Sequence, residues 1–145
     1  MGFDGGKKIK GRKRHLIVDT LGLVMMVVVT AANVSDQHGA RLVFARLLVV
    51  PERIVRLVMI WVDGTYEGID FMQWTMVTYR WILQTIKRSE STKGFVLLPK
   101  RWVVERTWGW LNWSRRLSKD YEVLPETSEA FIYVAMIRLM LRRLA

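Results

Sequence analysis

Short apolar runs in the first half of the chain give way to helical spacing in the second. His15-Leu16-Ile17-Val18-Asp19-Thr20 and Leu23 to Thr30 are rich in β-branched residues and meet through Thr20-Leu21-Gly22. They predict two strands of an antiparallel hairpin. Asn33-Val34-Ser35-Asp36 has capping chemistry, and Ala40, Val43, Phe44, Leu47 and Leu48 follow at helical spacing. A helix is predicted from Gln37 to Val49, ended by Pro51. Leu57-Val58-Met59-Ile60-Trp61-Val62 is a continuous apolar run closed by Asp63-Gly64, as expected of a buried central strand ending at a turn. Strand, helix and strand in that order imply a parallel crossover.

Further along, the pattern predicts a helix from Glu67 to Arg80, a short strand from Ile82 to Lys87 and a polar loop from Ser89 to Lys93. After Pro99 the spacing is helical to Leu117. A last helix runs from Pro125 to Arg143, opening on Pro-Glu-Thr-Ser-Glu and closing on Arg138, Arg142 and Arg143, which suit a helix C-terminus. Residues 1–14 read as a Gly-rich lead into a basic cluster, a poor strand by itself. No internal repeat is visible.

Composition narrows the classes. With 145 residues, 51% of them apolar, and seven tryptophans, the chain can bury the core of one domain. Its 23 Lys and Arg against 13 Asp and Glu leave +10, which favours a polyanionic partner, nucleic acid ahead of an anionic membrane. The absence of cysteine excludes disulfides, thiolate zinc sites and a cysteine nucleophile. Leu21 to Ala32 is too short to span a bilayer, and the first residues lack the apolar stretch of a signal peptide. These features predict a cytoplasmic protein without stable membrane association.

Two carboxylates stand out. Asp63 closes an apolar strand, which places it at the carboxyl edge of a sheet, where open α/β folds bind ligands. From position alone, an Asp that merely starts a turn is an equal reading. Glu105 shares a helical face with Arg101, Trp108, Asn112 and Arg116. Spacing alone makes that a solvated face with an Arg–Glu pair four apart. Among the tryptophans, Trp102, Trp108, Trp110 and Trp113 could stack on unpaired bases, but helical spacing favours the core for at least half of them.

An ordered series of motifs changes the weight of both carboxylates. Lys10-Gly11-Arg12-Lys13-Arg14-His15, Val18-Asp19-Thr20-Leu21-Gly22, Val29 to Val34, Val62-Asp63-Gly64 with Tyr66, and Lys87-Arg88-Ser89 come first. Leu98-Pro99-Lys100-Arg101-Trp102-Val103-Val104-Glu105-Arg106-Thr107, Asp120-Tyr121-Glu122, Leu124 to Ala130 and Ile137 to Leu141 complete it. Together they resemble the DDE transposases of bacterial insertion sequences, in the group close to insertion sequence five.

That resemblance implies an α/β fold, an RNase H-like mixed sheet flanked by helices. It implies metal-dependent DNA cleavage and strand transfer, with Asp63 and Glu105 as catalytic and metal-binding residues for a pair of Mg2+ or Mn2+ ions. Arg101 matches an Arg of the family on the same helix, whereas the family's Tyr and Lys positions appear here as Leu98 and Asn112. The family's first Asp belongs to a first strand ahead of Lys10 to His15, and neither Asp4 nor Asp19 replaces it. Residues 1–145 are therefore expected to be the C-terminal part of the catalytic domain, with a basic lead over 1–14 and without the central first strand. Two strand edges left unpaired would invite aggregation or pairing with another chain. DNA, as element ends and target, is the expected partner, with another transposase chain as the second candidate. DNA contacts are expected at Lys7, Lys8, Lys10, Arg12, Lys13, Arg14, Arg101, Arg106, Arg115, Arg116 and Lys119. The competing reading is a non-enzymatic basic DNA-binding module that modulates an intact transposase.

Overall fold

A computed structural model describes residues 1–86 and 100–145, and in it the side chain of Arg101 is not described. The Lys87-Arg88-Ser89 motif, the Ser89 to Lys93 loop, Leu98 and Pro99 lie outside the described residues. The strands are β1 (Gly2–Asp4), β2 (Ile9–Val18), β3 (Val24–Ala31), β4 (Met59–Val62) and β5 (Ile82–Thr85). The helices are α1 (Asp36–Leu47), α2 (Ile69–Tyr79), α3 (Arg101–Asn112) and α4 (Pro125–Leu144). Among the described residues no helix is long and apolar enough to cross a membrane.

The predicted hairpin forms. Arg12 to Val18 of β2 pair antiparallel with Ala31 to Val24 of β3. Asp19 folds the join, its Oδ1 accepting from the amides of Leu21 and Leu23 at 2.9 Å. Gly22 has φ +82°, and a Cβ there would lie 2.9 Å from Thr107 Oγ1, which donates to the Gly22 carbonyl at 2.6 Å. Only glycine meets both demands at this turn.

The basic run is part of a strand, which corrects the expectation of a lead over residues 1–14. Its side chains are held by tertiary partners, so the charge that made it a poor strand in isolation is offset. Arg12 reaches Asp120 at 3.2 Å and the carbonyls of Glu122 and Val123. Lys13 lies 3.3 Å from Asp4 and 3.4 Å from Asp36. Arg14 donates to the carbonyls of Leu117 and Lys119 at 2.8 and 3.2 Å.

α1 starts as its sequence requires, with Ser35 Oγ accepting from the His38 amide at 3.2 Å. Its buried positions Ala40, Val43, Phe44 and Leu47 pack with Ile17, Met26 and Val28 of the hairpin and with Ile60 and Leu83 of β4 and β5. Phe71 and Trp81 complete that core. A second cluster on the other face of the hairpin joins Val27 to Leu111, Leu117, Ile132 and Met136.

The expected crossover is placed differently. β4 pairs in parallel with β5, Met59 opposite Ile82 through Val62 opposite Thr85, and α2 connects them. The hairpin and the β4–β5 pair form two separate sheets. One edge of β3 bonds β2, and α4 covers the other. Glu129 Oε1 accepts from the Val29 amide at 2.8 Å, and Tyr133 Oη from the Val27 amide at 3.2 Å. No edge of β3 is left for β4.

Glu129 is buried and its other oxygen meets Arg46 at 2.5 Å. Glu129→Ala would strand the Val29 amide and the guanidinium together. We expect a loss of about 2–4 kcal/mol in urea unfolding, and less than half of that for Glu129→Gln, which keeps an acceptor for the amide.

Candidate active site

The C-terminal end of β4 delivers Asp63 to an exposed turn. Its Oδ1 accepts from the amide of Thr65 at 2.9 Å and from the Thr65 hydroxyl, so it caps the 3-10 turn Gly64–Tyr66. No described residue donates to Oδ2. Position therefore gives Asp63 the turn role that is common for Asp, and leaves one carboxylate oxygen available for chemistry.

Tyr66 closes that turn and lies partly buried against the first core. Its phenol is pushed up to about 12, first by burial and then by the carboxylates of Asp36 and Asp63. It stays protonated at neutral pH, a hydroxyl donor between two acidic groups. Sequence reading placed Tyr66 in the motif series without a role, because the approach of Asp36, thirty positions earlier, is a tertiary event.

Glu105 lies on α3, whose buried stripe is Val103, Thr107 and Leu111, one residue in every four. This stripe leaves Glu105 exposed on another side. Just ahead of the helix, Lys100 Nζ lies 5.3 Å from the centre of the Trp61 ring of β4. Asp63, Tyr66, Lys100 and Glu105 all line one cavity of about 1480 Å³. Sequence reading did not single out Lys100, although it stands within the same motif as Glu105.

The α3 helix ends at Asn112, and Arg116 follows in a separate 3-10 turn, Arg115–Leu117. Arg116 thus leaves the expected shared face and pairs with Glu122 at 2.8 Å. The expectation that at least half of four tryptophans are core is also corrected. Trp108 packs on the second core, while Trp113 is 84% exposed. Trp102 and Trp110 flank the Arg106 guanidinium at 4.6 and 4.7 Å.

Of the expected DNA contacts, Lys7, Lys8 and Lys10 are exposed, as are Arg115 and Lys119, and the side chains of these five meet no partner among the described residues. Arg12, Lys13 and Arg14 are engaged within the fold. Burial lowers the pKa of Arg14, and Asp120 opposes it. Burial works against the Lys13 ammonium, but Asp36 and Asp4 hold its pKa above the usual lysine value. Arg106 donates to the Leu21 carbonyl at 2.8 Å.

The family model described as "Transposase DDE domain" matches residues 2–140. The chain belongs to the DDE transposase family. No curated protein and no solved structure matches it. Membership implies DNA transposition as the activity, DNA as the partner and divalent metals as the family's usual cofactor. Among the described residues no group of three His, Cys, Asp or Glu side chains is placed to hold a metal ion.

The coupling between Tyr66 and Asp63 is measurable. Asp63→Asn removes one of the charges that hold the phenol up, and spectrophotometric titration is expected to show a downward shift from about 12. The value should remain above that of free tyrosine, about 10, because burial and Asp36 persist.

Proposed function

We propose that Asp63 and Glu105 are the metal-binding carboxylates of a DNA strand-cleavage and strand-transfer site, of the kind found in transposases close to insertion sequence five. The observation that carries this reading is that the two line the same cavity from separate elements, the turn after β4 and α3. Carboxylate oxygens suit hard Mg2+ or Mn2+ ions, so the donors present fit in kind. When bound, a pair of such ions supplies activation of water or a 3′ hydroxyl and stabilises the leaving oxygen. Lys100, on the same cavity wall, offers an ammonium to a phosphate there, and the protonated Tyr66 hydroxyl can donate a hydrogen bond beside Asp63. The mixed α/β arrangement, with strands on one side of the cavity and helices packed on them, supports an RNase H-like fold.

For DNA binding we assign Lys7, Lys8, Lys10, Arg115 and Lys119 to phosphates, with Arg101 at the helix start beside Glu105. Arg12, Lys13, Arg14, Arg106 and Arg116 then contribute chiefly by shaping the surface that presents them.

In a transposition-competent protein carrying this chain, Asp63→Ala and Glu105→Ala should each lower strand transfer by at least about a thousandfold and leave general DNA binding in place. Strand transfer at the parental rate in either variant overturns the assignment.

Asp19 and Glu52 also line the cavity, but among the described residues no three carboxylates are grouped to hold a metal ion, which favours a second reading, a basic module that binds DNA without cutting it. Both readings require the lysines of the first turn and strand. Changing Lys7, Lys8 and Lys10 to Gln should reduce the log–log salt slope of DNA binding by about 0.9 for each lost phosphate contact. An unchanged slope removes those lysines from the interface. Metal-dependent nicking by the chain alone would decide against the non-enzymatic module.

A further inference from the structure

Almost every tryptophan of this chain is used within the fold. Trp81 is buried and stacks with Tyr79 at 4.8 Å, and Trp108 packs on the second core. Other indoles carry cations on their faces: Arg41 over Trp74 at 3.9 Å, Lys100 over Trp61, Arg106 over Trp102, and both Arg106 and Arg143 over Trp110. Trp113 is the exception. Its ring meets no aromatic ring and no cation among the described residues, and it stays 84% exposed, although tryptophan normally buries most of its surface.

The local fold holds the indole outside. Trp113 keeps helical backbone angles and stands two residues past Leu111, roughly 200° around the helix axis, so it points away from the core that Leu111 enters. The backbone is anchored on both sides. Leu111 and Leu117 are buried in the second core. The Ser114 amide donates to the Leu111 carbonyl at 3.0 Å, and the Leu117 amide to the Ser114 carbonyl at 2.7 Å. Arg14 holds the carbonyls of Leu117 and Lys119. The indole cannot turn inward without dislodging two core leucines. It stands on a fixed segment, which lowers the ordering entropy that binding must overcome.

The charges of this segment are unbalanced. Of the acids that follow, Asp120 is taken by Arg12 at 3.2 Å and Glu122 by Arg116 at 2.8 Å. Arg115 and Lys119 are left exposed, their side chains without a partner among the described residues. A flat apolar ring on a segment with two unpaired cations suits a ligand that combines a flat unsaturated ring with negative charge. A nucleotide has both, and every base offers a stacking face. In a paired duplex those faces are covered by the neighbouring bases, so the fit is to a base that has lost its partner.

We propose, on the reading that DNA is the partner, that Trp113 is a stacking platform for one unpaired base of a DNA strand, with Arg115 and Lys119 on the phosphates that flank it. Eight residues separate it from Glu105, about 12 Å along a helix. The platform is thus a subsite apart from the two candidate carboxylates and does not depend on a metal. It gives the chain a preference for frayed or single-stranded DNA, which phosphate contacts alone do not supply.

The test follows binding of the whole chain to two labelled strands by fluorescence anisotropy at one salt concentration. One strand has about twelve thymidines, and the other is abasic, with the same length and the same phosphates. The parent chain should bind the thymidine strand at least about fivefold more tightly. Trp113→Ala should bring that ratio close to one, and Trp113→Tyr, which keeps an aromatic face, should retain most of it. Equal binding of the two strands by the parent chain overturns the proposal and leaves DNA as the partner. Binding of neither strand overturns it as well, and the chain loses DNA as its partner only if a duplex of the same length also fails to bind. Both outcomes are read without a variant, so misfolding of Trp113→Ala does not shield the proposal. A ratio kept by Trp113→Ala overturns it even where both affinities fall, because the indole then acts only on the fold. A parent chain that sediments as a dimer, dissociated by Trp113→Ala, would assign the indole to a second copy and overturn it equally.

Discussion

One apolar stripe, Ala40, Val43, Phe44 and Leu47 of α1, holds together two sheets that share no backbone hydrogen bond among the described residues. In an ordinary sheet the ladder carries strand-to-strand alignment, and a covering helix adds burial. Here the helix must do both. Phe44 illustrates how: its ring stacks with Phe71 at 6.1 Å and meets Trp81 and Tyr79 edge-on at 5.5 and 5.9 Å. Aromatic packing of this kind is directional enough to fix an orientation as well as to bury area. The position of Asp63 relative to the hairpin therefore depends on side-chain packing under β4.

The basic face of β2 has a related role. In sequence it looks like a solvated arm for phosphate. In the fold, Arg12 and Arg14 hold the carbonyls and carboxylate of the connection between α3 and α4, and Lys13 ties β1 to the start of α1. Charged side chains that satisfy carbonyl groups of a loop stabilise it in a way that apolar ones cannot. The outcome is a division of the cations into those that shape the surface and those that stand free on it.

Much of the candidate site was legible only as a set. Asp63 behaves locally as a turn cap and Glu105 as an exposed helix residue, and each fits its ordinary structural role. The motif series joined them, and the family match over residues 2–140 shows the family without assigning either residue. Tyr66 and Lys100 escaped notice because their relevance comes from Asp36 and Trp61, neighbours in space that no sequence spacing encodes. The tryptophans misled for a similar reason: helical periodicity shows that one face is buried, but the helix chose the stripe of Val103, Thr107 and Leu111, which allows close approach to Gly22.

The sequence by itself determined the local elements. Capping at Ser35, the Asp19 turn, the apolar run into Asp63 and the Pro125 helix start depend on interactions within a few residues. Only the tertiary structure decided which strands share a sheet and that the basic run is a strand. Those outcomes depend on long-range partners, with Glu129 and Tyr133 of α4 occupying the edge of β3 and ion pairs offsetting the charge of β2. Backbone hydrogen bonds must be made somewhere, and the local pattern does not specify with whom.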